Sequence, residues 1–150
     1  MNRSLFLRTA CAAALAATAL AGCSSMRGSV TSQETYQATL SGAEEVPAVT
    51  TAGTGTADVR YNSNSQMLSW SVTHSGLSGP VTAAHIHGPA GPGQNAGVLI
   101  PFTNVGAGTI TGEAKITPEQ LAQLTSGQWY VNLHTAARPA GEIRGQLRRK

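Results

Sequence analysis

The chain has 150 residues, with ten Lys and Arg against seven Asp and Glu, four His, two Cys and a formal charge of +3. Two of the basic residues, Arg3 and Arg8, belong to an N-terminal leader, so residues 23–150 carry eight basic against seven acidic side chains and a net charge of about +1. With Arg148, Arg149 and Lys150 grouped as a solvated C-terminal end, no basic patch is left for nucleic acid. The remaining length, about 128 residues, suits one domain of ordinary size.

After the basic start, Thr9 to Ala21 is an almost unbroken apolar run, too short to span a bilayer comfortably. Residues 1–22 are therefore expected to be a signal peptide. The run ends in Leu20-Ala21-Gly22-Cys23, which resembles the bacterial lipoprotein signal, in which the cysteine is lipidated and becomes the new N-terminus. Ordinary secretory cleavage after Ala19-Leu20-Ala21 is the alternative. Acyl chains, each contributing about 0.8 kcal/mol per buried methylene, would hold the protein on a membrane without a transmembrane helix. Ser24 after the cysteine points to an outer membrane or periplasmic location in a Gram-negative host, and to the cell envelope in any case. Processing removes Cys11 and commits Cys23, which leaves no thiol for a disulfide or a thiolate metal site. Residues 23–34 are small and polar, a flexible tether, and the domain runs over 35–148.

From Thr35 onward, short alternating runs separated by turn residues predict strands. Tyr36, Ala38 and Leu40 share a face, and "SGAEEVPAV" follows as a loop. Gly55, Ala57, Val59 and Tyr61 alternate with polar partners, "NSNSQ" turns the chain, and Leu68, Trp70 and Val72 complete a hairpin. Val81–His87, Val98–Phe102 and Thr109–Ile116 are the next three strands. The period then changes. Thr117 is an N-cap, Pro118 suits the first helical position, Gln120 completes a capping box and Gly127 ends one short helix. "WYVNLHT" and "EIRGQLR", joined by the loop "AARPAG", bring the total to about eight strands. An all-β fold is expected, an immunoglobulin-like or Greek-key β-sandwich or barrel with one short helix.

Chemistry concentrates on the histidines. Residues two apart on a strand point to one face, so His85 and His87 project together, roughly 6 to 7 Å apart. Trp129, Val131 and Leu133 take the core parity of their strand, which turns His134 outward with Tyr130 and Asn132. Ile86 does the same for His85 and His87. If the two strands are neighbours, three imidazoles meet on the outer face beneath the loops 88–97 and 136–141. Neutral imidazole without thiolate or obligatory carboxylate suits copper or zinc better than calcium or magnesium. The alternative is three strand-end histidines bonded to loop carbonyls. His74 continues the inward parity of Leu68, Trp70 and Val72, as a rim residue or a possible fourth ligand. Glu142 and Arg144 share a face of the last strand, as a surface ion pair or as supports that orient a ligating imidazole. Glu44 and Glu45 are adjacent, diverge in an extended chain, and read as a solvated loop. "GPAGPG" is a rigid loop whose Pro89 and Pro92 help to hold His87.

Three segments, "LSGAEEVPAV", "TAAHIHGPAGPGQNAGVL" and "LTSGQWYVNLHTAARPAGEIRGQL", resemble the chordin-domain (CHRD) family over about Thr35 to Leu147. The resemblance implies an all-β, immunoglobulin-like barrel. It places the family's histidine pattern on His85, His87 and His134 and its Gly-Glu-Ile-Arg-Gly element on Gly141 to Gly145, with Ala140 where another glycine is frequent. The growth-factor antagonism of animal chordin does not carry over to a bacterial lipoprotein, since fold does not fix function. His-x-His on one strand with a later strand histidine is also similar to copper-zinc superoxide dismutase, although the chain lacks the residues for the zinc half of such a site.

The expected function is that of a lipid-anchored extracytoplasmic protein that binds one copper or zinc ion through His85, His87 and His134, to store, sense or buffer metal. The chain has no nucleophile elbow, phosphate-cradling glycine motif or nucleophilic cysteine, so no catalytic residue is assigned. Two other functions fit the sequence. One is a metal-free module whose loops contact protein or glycan at the cell surface; the other is a copper-only, superoxide dismutase-like enzyme.

Overall fold

A computed structural model of the chain describes residues 33–106 and 108–150. The expected signal peptide, the lipidation at Cys23 and residues 23–32 of the tether lie outside the described residues. Among those described, no helix is long and apolar enough to cross a membrane.

The strands are β1 Gln33–Ser41, β2 Thr54–Asn62, β3 Met67–Ser75, β4 Val81–His87, β5 Val98–Pro101, β6 Ile110–Lys115, β7 Tyr130–Thr135, β8 Arg138–Gln146 and the two-residue β9 Arg148–Arg149. They form one antiparallel sheet in the order β5-β4-β7-β8-β1-β2-β3-β6, with β9 also on β1. The sheet curls into a nearly closed barrel with β5 and β6 as its two edges. Alternation gives the inside directly: Tyr36, Ala38 and Leu40 from β1, Ala57 and Val59 from β2, and Leu68, Trp70 and Val72 from β3 are all buried. Val131, Leu133 and Ile143 close the core from the other half of the sheet.

The β2–β3 turn follows from its side chains. Asn62 Oδ1 accepts from the N–H groups of Asn64 and Ser65 at 2.9 and 3.2 Å, and Gln66 takes a φ of 59°, the local bonding that favours Asn at turns. The helix α1, Pro118–Thr125, has the capping box in full: Gln120 N–H donates to Thr117 Oγ1 at 3.2 Å and Thr117 N–H donates to Gln120 Oε1 at 2.8 Å. Gly127 leaves the helix at φ 72°, the left-handed region that favours glycine. The buried Leu124 and a bond from Trp129 Nε1 to Gln123 Oε1 at 3.3 Å seat the helix against the barrel.

One feature differs from the sequence expectation. "AARPAG" is not an open loop, because Arg138 to Gly141 already belong to β8 and Thr135 pairs with Arg138 across a tight turn. The outer face of β7 lies beneath the segment 88–97, as expected for the histidines. All six residues of this strand are buried, since the chain after β4 folds back across it. Arg144 donates to Gln94 O at 2.7 Å and to Asn95 Oδ1 at 3.0 Å, and Asn95 Nδ2 donates to Val46 O at 2.9 Å. These bonds tie segment 88–97 and the β1–β2 loop into a second layer.

Near the open seam, Trp70 stacks on Phe102 with ring centroids 4.6 Å apart and lies over Gly112 of the paired strand β6. A Cβ at position 112 would stand 2.5 Å from Trp70 Cζ2, so only glycine lets the indole lie flat there. Gly112→Ala is expected to cost about 1–3 kcal/mol through overpacking and to lower the thermal midpoint by several degrees. Thr111→Ala on the exposed face of the same strand should leave it within about 1 °C. Equal midpoints for the two variants would contradict this packing.

Candidate metal centre

The site is made by the pairing of β4 with β7. Its register sets His85 opposite Asn132, His87 opposite Tyr130 and Ala83 opposite His134, with an irregularity between Val81 and Ala83. All three histidines therefore reach the face opposite Ile86, Val131 and Leu133. One ring nitrogen from each lies within 4.8 Å of the others. His85 is half-buried, while His87 and His134 are only 8% and 9% exposed. Parity supplies the shared face, and the overlying segment supplies the burial.

Hydrogen bonds fix the tautomers of two rings. His87 Nδ1 lies 3.0 Å from the carbonyl of Ala96, and His134 Nδ1 lies 3.0 Å from the carbonyl of Pro139. A carbonyl only accepts, so both Nδ1 atoms carry hydrogen and donate, and a neutral ring then presents a bare lone pair at Nε2. Both Nε2 atoms point at Asn132 Oδ1, each at 3.0 Å, and His85 Nδ1 is 3.1 Å from His134 Nε2. The Nε2 atoms of His87 and His134 thus face one small volume beside His85. Added protons are disfavoured there. Burial, then the neighbouring His134 and His87, lower the His85 pKa, with Asn132 working in the opposite direction. Burial lowers that of His134 against the pull of the Pro139 carbonyl, with His87 adding to the lowering. Two imidazoles each backed by a carbonyl on Nδ1, with Nε2 turned toward a third ring, are a group that could hold a metal ion.

The rings are also held from the side. Tyr130 stacks on His87 with centroids 4.8 Å apart and planes 2° apart, and the Arg144 guanidinium lies 3.4 Å over the opposite part of that stack, on the Tyr130 ring. Ala96 N–H donates to Tyr130 Oη at 3.1 Å, so the residue whose carbonyl holds His87 is itself clamped. Arg144 therefore supports the cluster through Tyr130 and through Gln94 and Asn95. Glu142 touches no imidazole. It is fully buried and accepts from Thr51 Oγ1, Ser78 N, Ser78 Oγ and Thr135 Oγ1 at 2.6 to 2.8 Å. Burial works to raise its pKa, but those bonds outweigh it and hold the carboxyl at about 2. Glu142 and Arg144 thus do not form a surface ion pair; each is buried with its own partners.

His74 lies on β3, beyond β8, β1 and β2 from β7, and is not part of the cluster. Its Nε2 is buried without a partner beside Gly55 at the barrel rim. Glu44 is exposed, as the loop reading expects, but Glu45 is 8% exposed. Its carboxylate packs against Gly141, where an added Cβ would stand 2.6 Å from Oε1, and Oε1 has no partner. Asn132 and Tyr130 are the site residues that sequence reasoning noted only as outward-facing. The available signal was their spacing of two and four residues from His134.

Burial raises the Glu45 pKa from 4.5 to about 7, against the Arg144 charge and the Val46 N–H. Between those two values the folded state holds a proton that the unfolded chain has lost, so the contribution of Glu45 to stability falls as pH rises through this window. Glu45→Gln removes the titration. The midpoint of the variant relative to the parent should climb between pH 5 and pH 8; a difference independent of pH would contradict the burial of this carboxyl.

Neither the curated proteins nor the solved structures contain a match to the chain. The family described as CHRD domain matches residues 36–147, which take in most of β1, all of β2 to β8, the histidine cluster and its clamp. By this match over most of its length, the chain belongs to the CHRD family.

Proposed function

We propose that this CHRD-domain protein is anchored by lipid at Cys23 on the extracytoplasmic side of a bacterial membrane. There it binds one copper or zinc ion through His85, His87 and His134. The anchor and the envelope location rest on the leader ending in Leu20-Ala21-Gly22-Cys23. The metal reading rests on one observation: the Ala96 and Pro139 carbonyls hold the Nδ1–H groups of His87 and His134, so that their Nε2 lone pairs face a common point beside His85. Three histidines that merely satisfied loop carbonyls would have no reason to aim their remaining nitrogens at one another. Imidazole donors without thiolate suit copper(II) and zinc. His85, the least covered of the three, is the side from which an ion enters. The role that follows is metal storage, buffering or sensing at the cell envelope.

Full-length protein stripped of metal and titrated with copper(II) or zinc should take up one equivalent. At a hundredfold excess over Kd, binding to the folded state alone adds about 2.7 kcal/mol, roughly 10 °C in the thermal midpoint. Replacing all three histidines with alanine should abolish both effects, and Cys23→Ala should move the protein from the membrane to the soluble fraction. Unchanged uptake in the triple variant overturns the metal reading, and no midpoint shift with either ion leaves a metal-free surface module. Retention of Cys23→Ala on the membrane overturns the anchor.

A further inference from the structure

Asn132 occupies the middle of the histidine cluster, 4% exposed, with its Oδ1 3.0 Å from His87 Nε2 and 3.0 Å from His134 Nε2. As a hydrogen-bonding arrangement this is a mismatch. The two rings have committed their N–H groups to Ala96 O and Pro139 O, so a neutral Nε2 offers only a lone pair, and an amide oxygen also only accepts. Three acceptors facing one another are satisfied either by a positive charge between them or by an amide turned so that Nδ2 donates to the rings.

The separations also fit donors that share one metal ion. Two donors each about 2.1 Å from one ion are about 3.0 Å apart when they meet it at a right angle, and about 3.4 Å apart at a tetrahedral angle. The neighbouring contacts here run His87 Nε2 to Asn132 Oδ1, 3.0 Å; Asn132 Oδ1 to His134 Nε2, 3.0 Å; His134 Nε2 to His85 Nδ1, 3.1 Å. Three successive contacts of this length match donors that meet one ion at right angles. The spread of the three rings, within 4.8 Å, has room for the diagonal of about 4.2 Å that such an arrangement requires.

We propose, building on the three-histidine reading, that the Asn132 amide oxygen is the fourth donor of a tetragonal site with three nitrogens and one oxygen, and that this set selects copper(II) over zinc. A tetragonal arrangement of nitrogen and oxygen donors suits copper(II) or nickel(II), and copper(II) binds more tightly in the divalent series. Zinc in four-coordinate protein sites is tetrahedral. The neutral amide adds an oxygen without adding a buried charge, and its place on β7 two residues from His134 keeps it on the same face by strand parity.

The test is titration of full-length protein with copper(II) and with zinc, using a competing chelator, on the parent, Asn132→Ala and Asn132→Asp, with electron paramagnetic resonance of the copper(II) forms. The parent should show a tetragonal copper spectrum. Asn132→Ala should lose about tenfold or more in copper(II) affinity, lose less in zinc affinity, and change the copper hyperfine splitting. Asn132→Asp, which keeps an oxygen donor, should restore copper(II) affinity to the parent level or beyond with a shifted spectrum. Copper(II) affinity and spectrum unchanged in Asn132→Ala would overturn the fourth-ligand assignment, and equal losses for the two ions would overturn the selection of copper(II). If Asn132→Ala does not fold, an Asn132→Asp spectrum identical to the parent's overturns the assignment. A parent protein that takes up neither ion refutes the three-histidine reading itself, before any variant is compared.

Discussion

Two main-chain carbonyls, those of Ala96 and Pro139, decide what the histidine cluster is able to do. Each holds one Nδ1–H at 3.0 Å, and each is held in turn by the fold. Ala96 is fixed by its N–H bond to Tyr130 and by the neighbouring Asn95 and Gln94, which Arg144 grips. Pro139 is fixed by its place in β8, directly after a tight turn. Were either carbonyl to move away, the corresponding ring would be free to reverse its tautomer, and the lone pair that faces Asn132 would become an N–H. The cluster would then be an ordinary hydrogen-bonded network, with nothing to attract an ion.

Burial follows from the same clamp. A strand face that points away from the core is normally wet, and rings there would exchange protons with solvent near their usual pKa. Here the chain between β4 and β5 crosses back over β7 and β8, and the β1–β2 loop meets it through Asn95 and Val46. The result is a small polar layer packed on the outside of an apolar barrel. Its members are expensive to bury unless matched, and most are matched: Glu142 by three hydroxyls and an N–H, Arg144 by two oxygens and an aromatic face. Glu45 and Gln146, each with a buried oxygen lacking a partner, and the Asn132 oxygen facing two lone pairs are the places where matching fails. The Glu45 mismatch shows as a raised pKa; the Asn132 oxygen is where the proposed cation would fit.

Much of this was legible in the sequence, because alternation is a local signal. The core faces of β1, β2 and β3, the helix with its Thr117 cap and Gly127 stop, and the shared face of His85, His87 and His134 all follow from a period of two or from short-range bonding. What could not be read depends on which segment crosses which. Alternation assigns Glu142 and Arg144 to the outer face but says nothing of their partners there, so a surface ion pair and a support for an imidazole both fit the sequence. Glu44 and Glu45 look alike in the chain, and only the packing of Glu45 on Gly141 separates them. Asn132 carried a weak trace, two residues before His134, but an outward asparagine on a strand is ordinary until its partners are known. "AARPAG" looked like a loop because Pro and Gly mark turns, whereas its second half continues as β8 with Gly141 at φ 135°.

The tautomers of His87 and His134 in metal-free protein at neutral pH test the central claim most directly, and long-range proton–nitrogen NMR correlation of the imidazole rings reports them. The expected result is hydrogen on Nδ1 and a bare Nε2 for both rings. Hydrogen on Nε2, or doubly protonated rings at pH 7, would contradict it and leave no electron-rich site at the centre of the cluster.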